Sequence, residues 1–302
     1  MQSRFERIEK RLVALIERPG ADQGHEWRVR TLLWVLKQFS NAYRSVVQLR
    51  LMLYRNGIFR HHALGCQVIS VGNLTVGGTG KTPVVEIFAR ELQKAGRRVA
   101  ILSRGYKKAQ PPFLQRTLDR VFMRETRRPP RVVSDGKELL LDSAMSGDEP
   151  YMLASNLPDV TVLVDKDRVK SARYAVEKFG CDTLILDDGF QYLALKHRTE
   201  IVLVDCTNPF GNEHCLPRGI LREPISSIRR ADFIFLTKSN GSGTHELRRR
   251  LQKLNDHAEV IECKHSARYL QNAFTSEERP LAYLDGRRVV AMSGIAAPSG
   301  FE

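Results

Sequence analysis

The sequence predicts an α/β protein built on a mostly parallel sheet that is flanked by helices. Short apolar runs alternate with segments of helical periodicity, and polar residues follow several of these runs, where parallel strands would end. A chain of 302 residues that is 42% hydrophobic can bury such a core, and its length favours two domains. The candidate strands are 67–71, 99–102, 160–164, 183–186, 201–204, 233–236, 258–261 and 289–292.

Residues 1–65 predict a basic helical segment outside this sheet. Over residues 31–55, apolar side chains recur at near-helical spacing, but cations interrupt them well short of the roughly 18 residues of a spanning helix. Between Trp27 and Gly65 there are seven Lys or Arg residues and no Asp or Glu. Composition leaves two interpretations open, a helix on an anionic membrane surface and a helix that packs its apolar stripe on the protein.

A glycine-rich segment predicts a phosphate-binding loop. The first strand of the sheet runs into residues 72–82, and a helix is expected over residues 83–95 with Pro83 at its favoured first position. A strand, a glycine-rich turn and a helix N-terminus together present backbone N–H groups to an anion. Residues 66–228 are therefore predicted to form a core of the P-loop NTPase type.

Two side chains of this loop have specific predicted roles. Lys81 would reach the β- and γ-phosphates, and the Thr82 hydroxyl would ligate Mg²⁺. The usual pattern has glycine where this chain has Thr75. ATP is favoured over GTP because residues 237–240 match the guanine-reading motif at neither end. The predicted nucleotide-binding residues are Thr75, Val76, Gly77, Gly78, Thr79, Gly80, Lys81 and Thr82.

Two pairs of acidic residues are candidates for holding the metal. Asp187 and Asp188 follow a predicted buried strand, so either could bind Mg²⁺ or its water shell. An acidic turn is the alternative, because Asp-Asp-Gly is a good turn sequence. Asp148 and Glu149 begin a helical stretch, where they would by themselves be ordinary capping residues.

Several basic residues occupy positions that suit phosphate binding. Arg104 and Arg168 each follow a candidate strand, and the loop 216–224 carries two arginines between prolines and glycines. The formal charge of +14 likewise indicates an anionic partner. Nucleic acid is not favoured, because no recognisable binding module is present.

The five cysteines show no CxxC spacing, which argues against a zinc site and fits a reducing compartment.

Five motifs then occur in one order between Val68 and Pro224: VISVGNLTVGGTGKTP, LSRGY, GDEP, LILDDGFQ and LPRGILREP. With SGIAAPSGF near the end, they resemble the tetraacyldisaccharide 4′-kinase family of lipid A biosynthesis over residues 30–302. Thr75 is typical of that family. The alternative is a membrane-surface P-loop ATPase of the partitioning and site-selection type, whose loop carries a leading Lys where this chain has Val76.

The resemblance implies transfer of the γ-phosphoryl group of ATP, with Mg²⁺, to the 4′-hydroxyl of an acylated glucosamine disaccharide 1-phosphate. It also implies a smaller C-terminal α/β domain, here residues 229–302, and a peripheral position at the cytoplasmic face of the inner membrane. The membrane contact would be made by residues 31–55, and no nucleic acid or obligate protein partner is expected.

The same resemblance assigns residue roles. Asp148 becomes the candidate general base for the sugar hydroxyl, with Lys81 as the second catalytic residue. Glu149, Asp187 and Asp188 join Thr82 as candidate metal-shell residues. The candidate phosphate and substrate contacts are Arg104, Tyr106, Arg168, Gln191, Arg222 and Glu223.

Members of that family usually continue some tens of residues beyond GIAAPSGF, through an Asp-His-His-type segment whose His would support the base. Because this sequence stops at Glu302, the resemblance implies an incomplete C-terminal domain. His265 does not match that motif in its context.

Overall fold

In a computed structural model, residues 27–105, 128–239, 241, 243–264, 266–275 and 277–290 are described. The helices are α1 (Trp27–Arg55), α2 (Lys81–Lys94), α3 (Ser143–Ser146), α4 (Asp148–Asn156), α5 (Arg168–Phe179) and α6 (Thr244–Leu254). The strands are β1 (Gln67–Asn73), β2 (Val99–Ser103), β3 (Arg131–Asp135), β4 (Thr161–Val164), β5 (Thr183–Asp187), β6 (Thr199–Asp205), β7 (Phe233–Thr237), β8 (Glu259–Glu262), β9 (Leu270–Gln271) and β10 (Glu278–Arg279). Two 3₁₀ turns cover Ile225–Arg230 and Leu281–Leu284.

Eight of these strands form one sheet in the order β3-β4-β2-β5-β1-β6-β7-β8. Neighbouring strands are parallel except β3, which runs antiparallel to β4 at the edge. Every residue of β2 and β5 is buried, because helices cover both faces of the sheet. The predicted α/β fold of the P-loop NTPase type is confirmed. With β1 between β5 and β6, the carboxyl ends of these strands lie side by side.

Two layers of helices bury the two faces of the sheet. On one face, α2 and α4 contribute Val85 and Leu153 to a core that includes Ile101 and Ile185. On the other face, α5 packs Ala172 against Leu102 and Leu184. Further along that second face, the 3₁₀ turn Ile225–Arg230 and helix α6 pack Ile228 and Leu251 against Val202 and Ile234. The carboxyl edge of the sheet is thus left for loops.

The observed elements differ from the predicted ones in three places. The sequence does not predict β3, because this short edge strand follows two prolines and lacks a long apolar run. Helix α2 begins at Lys81 and not at Pro83, so Pro83 is its third residue. Proline fits there because the first four N–H groups of a helix have no acceptor within the helix. Of the candidate strand 289–292, the two described residues, Val289 and Val290, lie outside any strand and are exposed.

Strands β7 and β8 extend the same sheet, so the predicted boundary at residues 228 and 229 falls between β6 and β7. The division of the chain into domains stays a prediction. Beyond the sheet, β9 and β10 pair as a separate antiparallel ribbon.

Helix α1 covers residues 27–55 of the predicted helical segment 1–65 and is attached to the core by polar contacts. Residues 1–26 of that segment lie outside the described residues, and residues 56–65 are not helical. The Ser40 hydroxyl donates to the Cys215 carbonyl at 2.7 Å, and the Tyr43 hydroxyl donates to the Arg222 carbonyl at 3.0 Å. The helix buries Leu33 and Ser40, whereas seven of its other large apolar side chains are exposed. No helix in the described part of the chain is both long enough and apolar enough to cross a membrane.

Candidate active site

The glycine-rich loop connects β1 to α2 and is supported by the loop that contains residues 220–222. The Val76 N–H donates to the Ile220 carbonyl at 2.8 Å, and the Arg222 N–H donates to the Leu74 carbonyl at 2.7 Å. Gly77 and Gly80 have φ angles of 115° and 78°, which L-residues rarely adopt. The middle of the loop, residues 76–78, is exposed, and the loop ends where α2 begins at Lys81.

The Asp-Asp-Gly-Phe segment lies directly against β1 because two glycines permit a close approach. A Cβ on Gly72 would lie 2.6 Å from the Cβ of Phe190, and one on Gly189 would lie 2.4 Å from the Ser70 hydroxyl. Real side chains do not tolerate such distances. This close approach brings Asp188, which follows the last residue of β5, to Lys81 at the start of α2.

Asp188 is the centre of a charged cluster at this point. Its carboxylate accepts two hydrogen bonds from the Arg222 guanidinium, each of 2.8 Å, and lies 3.6 Å from the Lys81 ammonium. Burial alone would raise the pKa of Asp188, but Arg222 and Lys81 hold that pKa at about 2. Asp188 is therefore ionised at physiological pH and keeps two cations beside the loop.

Asn73, the last residue of β1, connects the members of this cluster. Its side-chain oxygen accepts a hydrogen bond from Lys81 at 3.3 Å and another from Arg222. Its main-chain carbonyl accepts from the Gln191 side chain at 3.0 Å. Asn73 is fully buried, so water does not compete with its side-chain oxygen for the two cations.

Asp187 has the properties of a carboxylate that could bind a metal. Ser103 donates to its Oδ2 atom at 3.1 Å, whereas its buried Oδ1 atom has no hydrogen-bond partner among the described residues. Burial raises its pKa to about 6, and the charges of Asp188 and Glu149 add to this effect. A cation near Oδ1 would satisfy the unpaired oxygen.

The residues present fit Mg²⁺ better than a metal held by protein alone. No group of three or more His, Cys, Asp or Glu side chains in the described ranges could hold an ion. Mg²⁺ is commonly bound by one or two carboxylates together with substrate phosphates and water. Thr82, half-buried in the first turn of α2, is the hydroxyl nearest in sequence to Lys81.

Arg168 approaches this cluster from the start of α5. Its guanidinium donates to the Asp187 carbonyl at 3.3 Å and lies 5.2 Å from the centre of the Tyr192 ring. Burial lowers the pKa of Arg168, while Asp187 and Asp188 oppose this change. Arg104 is exposed and close enough for its charge to act on Arg168. Tyr106 lies outside the described residues.

Asp148 and Glu149 are the first two residues of α4, and both side chains are exposed. Glu149 lies close enough to Asp187 to raise the pKa of that carboxyl group. Their predicted roles as base and metal-shell residue stay predictions.

Glu223 is a candidate phosphate or substrate contact, but in this structure its carboxylate is paired with a protein side chain. It is 3% exposed and forms an ion pair with Arg230, with Oε2 and Nη1 2.9 Å apart. The Arg230 guanidinium in turn lies 4.1 Å from the centre of the Phe190 ring. Glu223 thus supports the Asp-Asp-Gly-Phe segment through Arg230, and its contact with substrate stays a prediction.

The sequence patterns do not single out Asn73 or Ser103, and Thr237 and Lys238 stand out only as part of a poor match to a guanine-reading motif. All four are polar residues at or next to the carboxyl end of a strand, the same signal that identified Arg104. Applied to every strand, that signal would have found them.

Comparison with known proteins finds one family model that matches most of the chain and several similar sequences. The model of the family described as Tetraacyldisaccharide-1-P 4′-kinase matches residues 32–302. A tetraacyldisaccharide 4′-kinase of Anaeromyxobacter sp. strain K is 42% identical over 261 residues, which are 86% of this chain and 65% of that protein. One of Geobacter metallireducens is 38% identical over 274 residues, 90% of this chain and 74% of that protein.

A solved structure, described as the "apo" form of LpxK from Aquifex aeolicus in complex with ATP, is similar to this fold. It superposes with a TM-score of 0.64 at 33% identity, covering 85% of this chain and 72% of that one. The chain spans 64–65% of the length of the first three curated relatives that it matches.

Proposed function

Because the chain belongs to the tetraacyldisaccharide-1-phosphate 4′-kinase family, we propose that it transfers the γ-phosphoryl group of ATP to the 4′-hydroxyl of an acylated glucosamine disaccharide 1-phosphate. The observation that carries this proposal is the convergence of Lys81 and Arg222 on Asp188 beside the phosphate-binding loop. Family membership favours this reaction over a partitioning-type ATPase.

Phosphoryl transfer depends mainly on positioning and on neutralising charge. The backbone N–H groups of the loop would hold the phosphates of ATP. Phosphate oxygens would replace Asp188 as the partner of Lys81, and Arg222 would remain tied to Asp188 at the edge of the site. Arg104 and Arg168 add positive charge on the side of Asp187.

Mg²⁺ would be held by Thr82 with Asp187 or Asp188, and when bound it would neutralise charge on the β- and γ-phosphates. Asp148 would accept the proton of the sugar 4′-hydroxyl. Its exposed position in the first turn of α4 leaves it accessible to the substrate hydroxyl.

A direct assay tests this function. The chain is incubated with γ-labelled ATP, Mg²⁺ and the tetraacylated disaccharide 1-phosphate in detergent micelles, and the lipid is separated from ATP. We expect labelled lipid. Bound ATP without labelled lipid, both in this chain and in a version extended to the length of its relatives, would contradict the proposed acceptor. Absence of ATP binding would contradict the nucleotide site itself.

We also propose that α1 lies on the anionic surface of the membrane that contains the substrate, at its cytoplasmic face. Ser40 and Tyr43 attach one side of the helix to the core, whereas Val46, Leu49 and Met52 are more than half exposed. Trp34 and Phe39 are each 62% exposed. A helix with exposed aromatic residues, several cations and no acidic residue suits the interface of an anionic bilayer.

The membrane proposal predicts a loss of vesicle binding. Replacing Trp34 and Phe39 by serine should weaken co-sedimentation with phosphatidylglycerol vesicles by about tenfold or more, because each large apolar side chain contributes about 1.5–3 kcal/mol on burial. Phe274→Ser is the matched control, because Phe274 is 98% exposed but lies outside α1. Equal binding by the double variant and the control would contradict this role for α1.

A further inference from the structure

Two consecutive residues at the carboxyl end of β7 donate side-chain hydrogen bonds to the main chain of the P-loop, residues 75–82. The Thr237 hydroxyl donates to the Thr79 carbonyl at 2.9 Å, and the Lys238 ammonium donates to the Gly78 carbonyl, also at 2.9 Å. Strand β7 is separated from β1 by β6, and its residues lie about 160 positions along the chain from the loop. Neither residue belongs to the nucleotide-binding segment.

These two contacts determine how the loop presents its donors. In a trans peptide the carbonyl of one residue and the N–H of the next point in opposite directions. With the Gly78 and Thr79 carbonyls directed at β7, the N–H groups of Thr79 and Gly80 must point away from β7. Neither N–H donates to another described residue. Both donors are thus available to an anion in the loop.

Lys238 is itself held in place for this contact. Its ammonium pairs with Asp205 at the end of β6, with the two charged atoms 2.6 Å apart. Asp205 also accepts hydrogen bonds from the N–H and hydroxyl of Thr207, at 2.9 and 2.6 Å. The backbone of Lys238 has a φ of 54°, which non-glycine residues seldom adopt and which costs free energy unless contacts compensate.

We infer that Thr237 and Lys238 are positioning residues that orient the amides of the P-loop before the nucleotide binds. The inference rests on the proposed function, since it requires a nucleotide in this loop. A loop that is already oriented loses less conformational freedom on binding, so the two residues strengthen nucleotide affinity. Neither side chain is needed for the acceptor or for the transfer step once ATP is bound.

The test compares the full chain with Thr237→Val and Lys238→Met for binding of Mg²⁺–ADP by calorimetry. Each variant loses one hydrogen bond to the loop, so we expect about a tenfold weaker affinity. In the lipid kinase assay, the KM for ATP should rise by a similar factor, whereas kcat and the KM for the acceptor should stay near the values of the parent chain.

Two controls separate positioning from a general loss of structure. Thr237→Ser keeps the hydroxyl and should restore affinity to that of the parent. Lys94→Met removes a surface ion pair of similar length, 2.7 Å to Glu91, and should leave nucleotide affinity unchanged. Thermal denaturation of each variant checks that the fold is intact.

The outcomes distinguish this inference from the proposed function. If the parent chain binds ADP and the Val and Met variants bind it equally well, the inference is overturned and the proposed function stands. Equal losses in Thr237→Ser and Thr237→Val, or a parallel rise in the KM of the acceptor, would also overturn it. No binding by the parent would overturn both.

Discussion

Replacing Lys81 by alanine is expected to abolish phosphoryl transfer, with a loss of at least about 10²–10³-fold. The ammonium of Lys81 lies 3.6 Å from Asp188 and 3.3 Å from Asn73, beside the loop that would hold the phosphates. Its positive charge would stabilise the charge that develops on the transferred group. The rate of labelled-lipid formation at saturating acceptor measures the effect.

The fold should survive this substitution. Asp188 keeps both hydrogen bonds from Arg222, so it is not left as a buried unpaired charge. Lys94→Ala is the control, because Lys94 is an exposed lysine at the other end of the same helix. Transfer by Lys81→Ala within tenfold of this control would contradict the role that we assign to Lys81.

Replacing Asp148 by asparagine is expected to lower the turnover number by about 10²–10⁴-fold and to leave nucleotide affinity near that of the parent chain. Asparagine keeps the size of the side chain but cannot accept the proton of the sugar hydroxyl. Asp148 lies on α4 and not in the P-loop, which is why binding of ATP should not change. Single-turnover kinetics at saturating ATP, with nucleotide affinity measured separately, resolve the two effects.

Asp159→Asn provides the matched control for this prediction. Asp159 is another exposed aspartate in the connection that follows α4, and asparagine tolerates its φ of 64°. We expect the control to retain full turnover. Equal losses of nucleotide binding in Asp148→Asn and Lys81→Ala would contradict the separate roles of base and phosphate ligand.

Local patterns in the sequence were sufficient for the parts of the molecule that are contiguous in the chain. The apolar run before Asn73, the glycines and the helix after Gly80 are consecutive, so spacing alone predicts the strand, the loop and the helix. The same holds for β5 and the two carboxylates at its carboxyl end, Asp187 and Asp188. Strand β3 was not predicted because this antiparallel edge strand is less buried than the central strands β2 and β5 and therefore has a weaker apolar pattern.

By itself, the sequence determined the fold class, the P-loop and the family, because strand periodicity, glycine spacing and motif order are properties of neighbouring residues. Tertiary structure alone decided which side chains meet. Arg222 reaches Asp188 across 34 positions of sequence, and Thr237 reaches Thr79 across 158. Those contacts follow from the placement of β5, β6 and β7 relative to β1 in the sheet. Packing also set the pKa of Asp187 at about 6 and that of Asp188 at about 2, because burial and neighbouring charges act through space and not along the chain.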